Sequence, residues 1–154
     1  FLVGSFALSG RLPLWLDEIL QLTETRRASP TAMIASLPQF SGAAPLGYLV
    51  QQASLRLTGY SVRMARLPSI IFGAAAVFLT ALLGAELGLK YSWQAAALFA
   101  VFPFTLRYAT ESRIYSMALF LSVLASYLYV RFARRPSWTW ACAHWLTRNR
   151  TRRA

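Results

Sequence analysis

The chain has 154 residues, is 56% hydrophobic and 14% aromatic, and carries 16 lysines and arginines against five acids, a formal net charge of +11. That is too apolar for an ordinary soluble domain of this size, and the single cysteine, Cys142, excludes an internal disulfide or a cysteine zinc cluster. In a soluble protein such charge would point to nucleic acid, but here the arginines border apolar runs and fill the last quarter of the chain, so lipid headgroups and lipid phosphates are the nearer partners.

Three runs, 67–85, 91–106 and 114–130, contain no Asp, Glu, Lys, Arg or His, and runs near that length can cross a bilayer. Core helices of a soluble protein are the bland alternative, and the overall composition argues against them. Residues 1–10 (FLVGSFALSG) are apolar but short, and the chain opens at Phe1 with no initiator methionine. They read as the end of a first span whose beginning is missing.

Residues 11–66 form the expected outer loop, long enough to have structure of its own. Within it, Trp15 to Glu24 sets Leu16, Ile19 and Leu20 on one helical side and Asp17, Gln21 and Glu24 on another, the pattern of a helix lying on a membrane surface. Pro30, Pro38, Gly42 and Pro45 then punctuate the loop. From Pro45 a second helix is expected, with Leu46, Leu49, Val50, Ala53 and Leu57 at helical spacing and Gly59 as its stop.

The span 67–85 lies between Arg66 and Glu86, and Gly73, Ala74, Ala75 and Ala76 give it a small-residue face for a neighbour. Pro103 interrupts the span 91–106, and the backbone groups a proline frees need packing partners in lipid, so the spans should form a bundle. The fold class expected is therefore all-α, a multi-pass transmembrane helical bundle with amphipathic juxtamembrane helices, over residues 1–135. Residues 136–154 are a basic, tryptophan- and arginine-rich tail of separate character, readable as an interfacial helix, a cut span or a frameshifted end.

Crossing parity orders these pieces. If 1–10 ends an outward span, then 67–85 returns inward, 91–106 goes out and 114–130 comes back. The loop 11–66 and the turn 107–113 then share one face, and Lys90, Arg131, Arg134 and Arg135 share the other, as expected of cytoplasm. The outer loop itself holds Arg11, Arg26, Arg27, Arg56, Arg63 and Arg66, against that rule.

Two constellations bear on chemistry. Adjacent Asp17 and Glu18 follow the first apolar segment; they suit a helix start by charge alone, or, desolvated by Trp15 and Leu16, an acid of this kind serves as a base toward a hydroxyl. Arg107, Tyr108, Glu111, Arg113 and Tyr115 lie between two apolar runs. Arg107 and Glu111 have the spacing of a simple i, i+4 pair, but parity brings the cluster to the face of Asp17 and Glu18, and ionisable groups so close to bilayer depth are functional candidates. His144 has no companion ligand and reads as surface; there is no phosphate-cradling glycine loop, no metal-ligand spacing and no serine–histidine pair to support a nucleophile.

The order LWLDE, then P-L-G-Y-L, then R-L-P-S-x-x-F-G, then Y-x-x-E-S-R-x-Y-S resembles the bacterial relatives of protein O-mannosyltransferases and aminoarabinose transferases, membrane glycosyltransferases of the GT-C type. The likeness covers roughly residues 10–135. It implies transfer of a sugar from a polyprenyl-phosphate donor to a hydroxyl of a lipid, glycan or protein acceptor, in the inner membrane, at its periplasmic or extracellular face. It implies a catalytic acid at Asp17, with Glu18 beside it, and a donor phosphate site at Glu111, Arg113 and Tyr115, to which Arg107 adds a further contact, with Glu111 fixing the orientation of the arginines. Arg63 and Arg66 are further phosphate candidates. A divalent metal is compatible with this scheme and not required by it; nucleic acid is not an expected partner. Many relatives have a His-Pro pair where this chain has Ala43, Ala44 and Pro45, which weakens donor or metal binding there. Relatives are also much longer, so the chain reads as an N-terminal fragment. The competing class is a non-enzymatic membrane module or transporter fragment; inverted repeats or charges within spans would favour transport, and the sequence shows neither.

Overall fold

The punctuation of the sequence resolves into helices joined by short turns. In a computed structural model that describes residues 1–27, 29–40 and 45–134, these are α1 (Leu2–Ser9), α2 (Leu16–Thr25), α3 (Pro30–Phe40), α4 (Pro45–Thr58), α5 (Val62–Glu86), α6 (Ser92–Val101), α7 (Pro103–Thr110) and α8 (Tyr115–Ala133), with no strand among the described residues. Two of them, α5 and α8, are long and apolar enough to cross a membrane.

Helix α5 is the hub, touching α1, α4, α6, α7 and α8. It begins five residues before the expected span because the Ser61 hydroxyl accepts the Met64 N–H at 3.2 Å and caps its first turn. Arg63 and Arg66 thus belong to the helix instead of preceding it. The small residues work as close-approach points: Gly73 faces the Ala109 methyl and the Phe1 ring, and Gly84 faces Ser92. Helix α8 lies beside α5 in the same direction, with Ala65 near Ser112, the Ser69 hydroxyl on the Arg113 carbonyl at 3.1 Å, and the Phe72 and Phe120 rings 5.4 Å apart.

Two neighbours running the same way require the chain to return between them. The return is made in two pieces, which corrects the expectation of one helix over 91–106. Phe102 is extended, with φ −63° and ψ 131°, and Pro103 opens α7 as its first residue. The cause is steric: the residue before a proline is pushed out of the helical region, and proline is well placed at a helix start. At ten residues, α6 is too short to cross a bilayer unaided. The start of α2 meets the turn between α7 and α8, where Glu18 accepts the Ser112 N–H and Asp17 pairs with Arg113.

The loop contains a helix the sequence reading passed over. Ser29 caps α3, its hydroxyl accepting the Ala32 N–H at 3.1 Å, and Pro30 takes the first helical position, so this proline starts a helix where a loop was expected. Met33 and Leu37 of α3 pack on Tyr48 of α4. The expected helices α2 and α4 are present, and the faces of α2 are reversed relative to a water-soluble protein. In α2, Glu18, Gln21, Glu24 and Thr25 are buried while Leu16, Ile19 and Leu20 point out. In α4 the buried side is mixed, Tyr48 and Leu55 together with Gln51 and Gln52, while Leu46 and Leu57 are exposed. Gly59, at φ +90°, ends α4 in the left-handed region that favours glycine. Gly42, Ala43, Ala44, Arg135 and the tail 136–154, with Cys142 and His144, for which the sequence raised expectations, lie outside the described residues.

Candidate functional site

The site is built around a charge placed where water does not reach. Arg66, in the second turn of α5, is 1% exposed and uses all five of its N–H donors. Nε and Nη2 donate to the two Glu18 carboxylate oxygens at 3.0 and 2.7 Å, Nη1 to the carbonyls of Ser9 (2.6 Å) and Leu12 (3.0 Å), and Nη2 also to that of Pro13 (3.0 Å). One side chain therefore fixes the end of α1, the 10–15 connection and the start of α2.

Glu18 is equally committed. Its carboxylate accepts the Trp15 N–H at 3.2 Å, closing the first turn of α2, and the Ser112 N–H at 2.5 Å, which ties in the turn between α7 and α8. Burial works to raise its pKa, but the hydrogen bonds from Arg66, Ser112 and Trp15 outweigh it and hold the carboxyl below its ordinary range. Against the expectation of a supporting base and a phosphate ligand, both residues are buried and engaged: Arg66 directs its donors to Glu18 and three carbonyls, and Glu18 accepts from Arg66, Trp15 and Ser112.

A second layer of polar side chains fixes the turn. Gln21 Nε2 donates to Gln51 Oε1 at 2.6 Å; Gln51 Nε2 donates to the Ala65 carbonyl at 3.2 Å and meets Ser112 Oγ; and the Ser116 hydroxyl donates to the Tyr108 carbonyl at 2.9 Å. Sequence reading missed Gln21 as a buried partner, and missed Gln51, Ser69 and Ser112 altogether. Lone polar residues tens of positions apart carry no periodic signal.

With the turn held, the neighbouring side chains converge on a cavity of about 340 Å³ lined by Trp15, Asp17, Glu18, Phe104, Arg107, Tyr108, Glu111, Arg113 and Tyr115. Arg113 pairs with Asp17, and its guanidinium lies 5.0 Å from the Tyr115 ring centre. The Asp17 side chain remains 61% exposed. Arg107 donates to Glu111 at 2.9 Å and lies 5.8 Å from the centre of the Trp15 ring. Phe104, Tyr108 and Tyr115 continue the aromatic wall, with ring centres 6.1 and 5.0 Å apart. Phe104 was not foreseen, although it stands four residues from Tyr108 as Arg107 does from Glu111.

Six of the eight sequence candidates thus line one cavity: Asp17, Glu18, Arg107, Glu111, Arg113 and Tyr115. Arg63 does not join them; it lies over the Phe6 ring and lines a different cavity, between α1 and α5. Among the described residues no three His, Cys, Asp or Glu side chains stand close enough to hold a metal ion, and each acid at the cavity is engaged by its own arginine. What the cavity offers is one accessible carboxylate, two guanidinium groups that reach the surface and an aromatic wall. No protein-family model, curated protein or solved structure matches the chain.

Removing one partner of a buried pair strands the other charge, at a typical cost of about 3–5 kcal/mol. Arg66→Met should therefore destabilise the fold by about that much, and Arg66→Met with Glu18→Gln by less, in thermal unfolding of the detergent-solubilised chain. The depressed Glu18 pKa sets the pH dependence. Its contribution is fully present above the ordinary carboxyl value of 4.5 and is lost as pH falls through the lower folded-state value. Glu18→Gln should accordingly flatten the acid limb of stability against pH below about 4.5.

Proposed function

We propose that the chain forms part of a multi-pass membrane glycosyltransferase that takes a sugar from a polyprenyl-phosphate donor, with its active cavity at the periplasmic or outer face. The carrying observation is the convergence of Asp17, Arg107 and Arg113 with aromatic rings in one cavity between the start of α2, helix α7 and the start of α8. A membrane setting is supported by the two long apolar helices α5 and α8 and by the reversed face of α2: lipid outside accepts exposed leucines, while buried polar groups must satisfy one another.

The chemistry follows from what the donor lacks and what the cavity supplies. A polyprenyl phosphate keeps its tail in lipid and its anomeric carbon near the surface. When the bond from that carbon to the phosphate oxygen breaks, negative charge grows on phosphate, and cations positioned there stabilise the transition state. Arg113 and Arg107 are suited to that task as bidentate donors. The acceptor hydroxyl gives its proton to Asp17 as its oxygen bonds to the anomeric carbon. The Asp17 pairing with Arg113 keeps base and phosphate ligand adjacent, so a bound phosphate competes for the same guanidinium and frees the carboxylate. Glu111 and Tyr115 orient the arginines.

Positioned proton transfer is typically worth about a hundredfold to ten-thousandfold. Asp17→Asn should lower turnover by that range with donor binding largely kept, whereas Arg113→Ala should weaken donor binding as well. Radiolabelled sugar transfer from a lipid-linked donor in proteoliposomes measures both. Near-normal turnover in Asp17→Asn would leave the acid structural and favour a non-enzymatic membrane module.

The orientation has its own test. In a Cys142→Ser background, Thr58→Cys at the end of α4 and Lys90→Cys beyond α5 should lie on opposite sides of the membrane. An impermeant thiol reagent should label the first and spare the second in intact cells; equal labelling contradicts the arrangement.

A further inference from the structure

The largest cavity described has no part in the chemistry above. It is an open groove of about 560 Å³ between α1 and the start of α5, with Leu2, Phe6, Leu67, Ile70 and Ile71 in its apolar wall and Arg11 and Arg63 at its rim. The Arg63 guanidinium is held at this rim, 5.5 Å from the Phe6 ring centre and against Gly10, where even a methyl group would collide with it. The four ion pairs among the described residues engage Arg27, Arg66, Arg107 and Arg113; neither Arg11 nor Arg63 is among them. Two cations without a carboxylate thus sit at the head of an apolar trough.

We propose that this groove binds an anionic phospholipid of the surrounding membrane, its phosphate between Arg11 and Arg63 and an acyl chain along α1 and α5. The inference rests on the membrane part of the proposed function and is independent of sugar transfer. The polarity of the groove runs as a lipid does. Arg63 is the second residue of a helix long and apolar enough to cross a bilayer, so its charge stands at headgroup level. Leu67, Ile70 and Ile71 follow on the same helix and extend the wall about 12 Å further in, at 1.5 Å per residue. Arginine at an anionic lipid surface gains electrostatic attraction, and its planar fork suits phosphate oxygens. A soluble anion would use only the rim, and a neutral lipid only the wall; an anionic lipid uses both.

The test uses the whole chain extracted from membranes in mild detergent, probed by native mass spectrometry and by thermal shift with added phosphatidylglycerol or phosphatidylcholine. Phosphatidylglycerol should be retained and stabilise the chain in preference to phosphatidylcholine. Arg11→Ala with Arg63→Ala should weaken that binding by roughly thirtyfold, taking each surface arginine at its usual worth. Ala7→Trp, which fills the groove and keeps both arginines, should displace the lipid too, so the test does not hang on the double variant folding. Equal binding of the two lipids, or full retention in both variants, overturns the proposal. So does equal stabilisation by glycerol phosphate, which would leave the trough idle, or displacement by a polyprenyl phosphate at equimolar level, which would make this the carrier's site. A chain recovered in the soluble fraction overturns this site and the membrane reading together; a chain that stays in membranes but shows no lipid preference overturns this site alone.

Discussion

A charged guanidinium buried to 1% exposure is the constraint on which the arrangement depends. Such a group is tolerable only when its charge is paired and its donors are met. Arg66 meets that demand with the Glu18 carboxylate and three carbonyls between Ser9 and Pro13. Satisfying it determines where the end of α1, the start of α2 and the first turns of α5 lie. Glu18 passes the constraint on to Ser112, and so the turn that carries Arg113 is set by a residue 47 positions earlier in the chain.

The consequence for the site is a division of labour between adjacent acids. Glu18 faces inward and holds the scaffold; Asp17, one residue away and therefore about 100° around α2, faces the cavity and stays accessible. The same division separates the arginines. Arg66 is structural, Arg113 and Arg107 border the cavity, and Arg63 lines the separate groove between α1 and α5. A residue that is fully saturated has nothing left to offer a substrate, which is why burial and hydrogen bonding sort these candidates where charge alone does not.

Much of this was legible in the sequence because long apolar runs and residue spacing are local signals. The helices α5 and α8, the amphipathic α2 and the stop at Gly59 follow from them. Crossing parity anticipated that Asp17 and Arg113 would share one end of the bundle. Other features were not legible. Pro30 serves equally as a loop marker or a first helical residue, and only the Ser29 cap decides between them. The break at Phe102 was signalled by Pro103, but a proline inside an apolar run is also compatible with a kinked single helix. The inward-facing Gln21 and Gln51, and the opposite fates of Glu18 and Asp17, depend on contacts between residues far apart in the chain, which no window of sequence contains. The residue types and their spacing singled out six residues that line one cavity, but not that one of them, Glu18, together with Arg66, forms the scaffold.

The central claim is that the buried pair builds the cavity by holding the start of α2 against the turn before α8. Cysteines at positions 17 and 113, in a Cys142→Ser background and joined by a short bifunctional thiol reagent in native membranes, report that proximity directly. The account predicts efficient crosslinking when Arg66 is present and its loss in Arg66→Met. Absence of the crosslink in the first case, or its undiminished yield in the second, would contradict it.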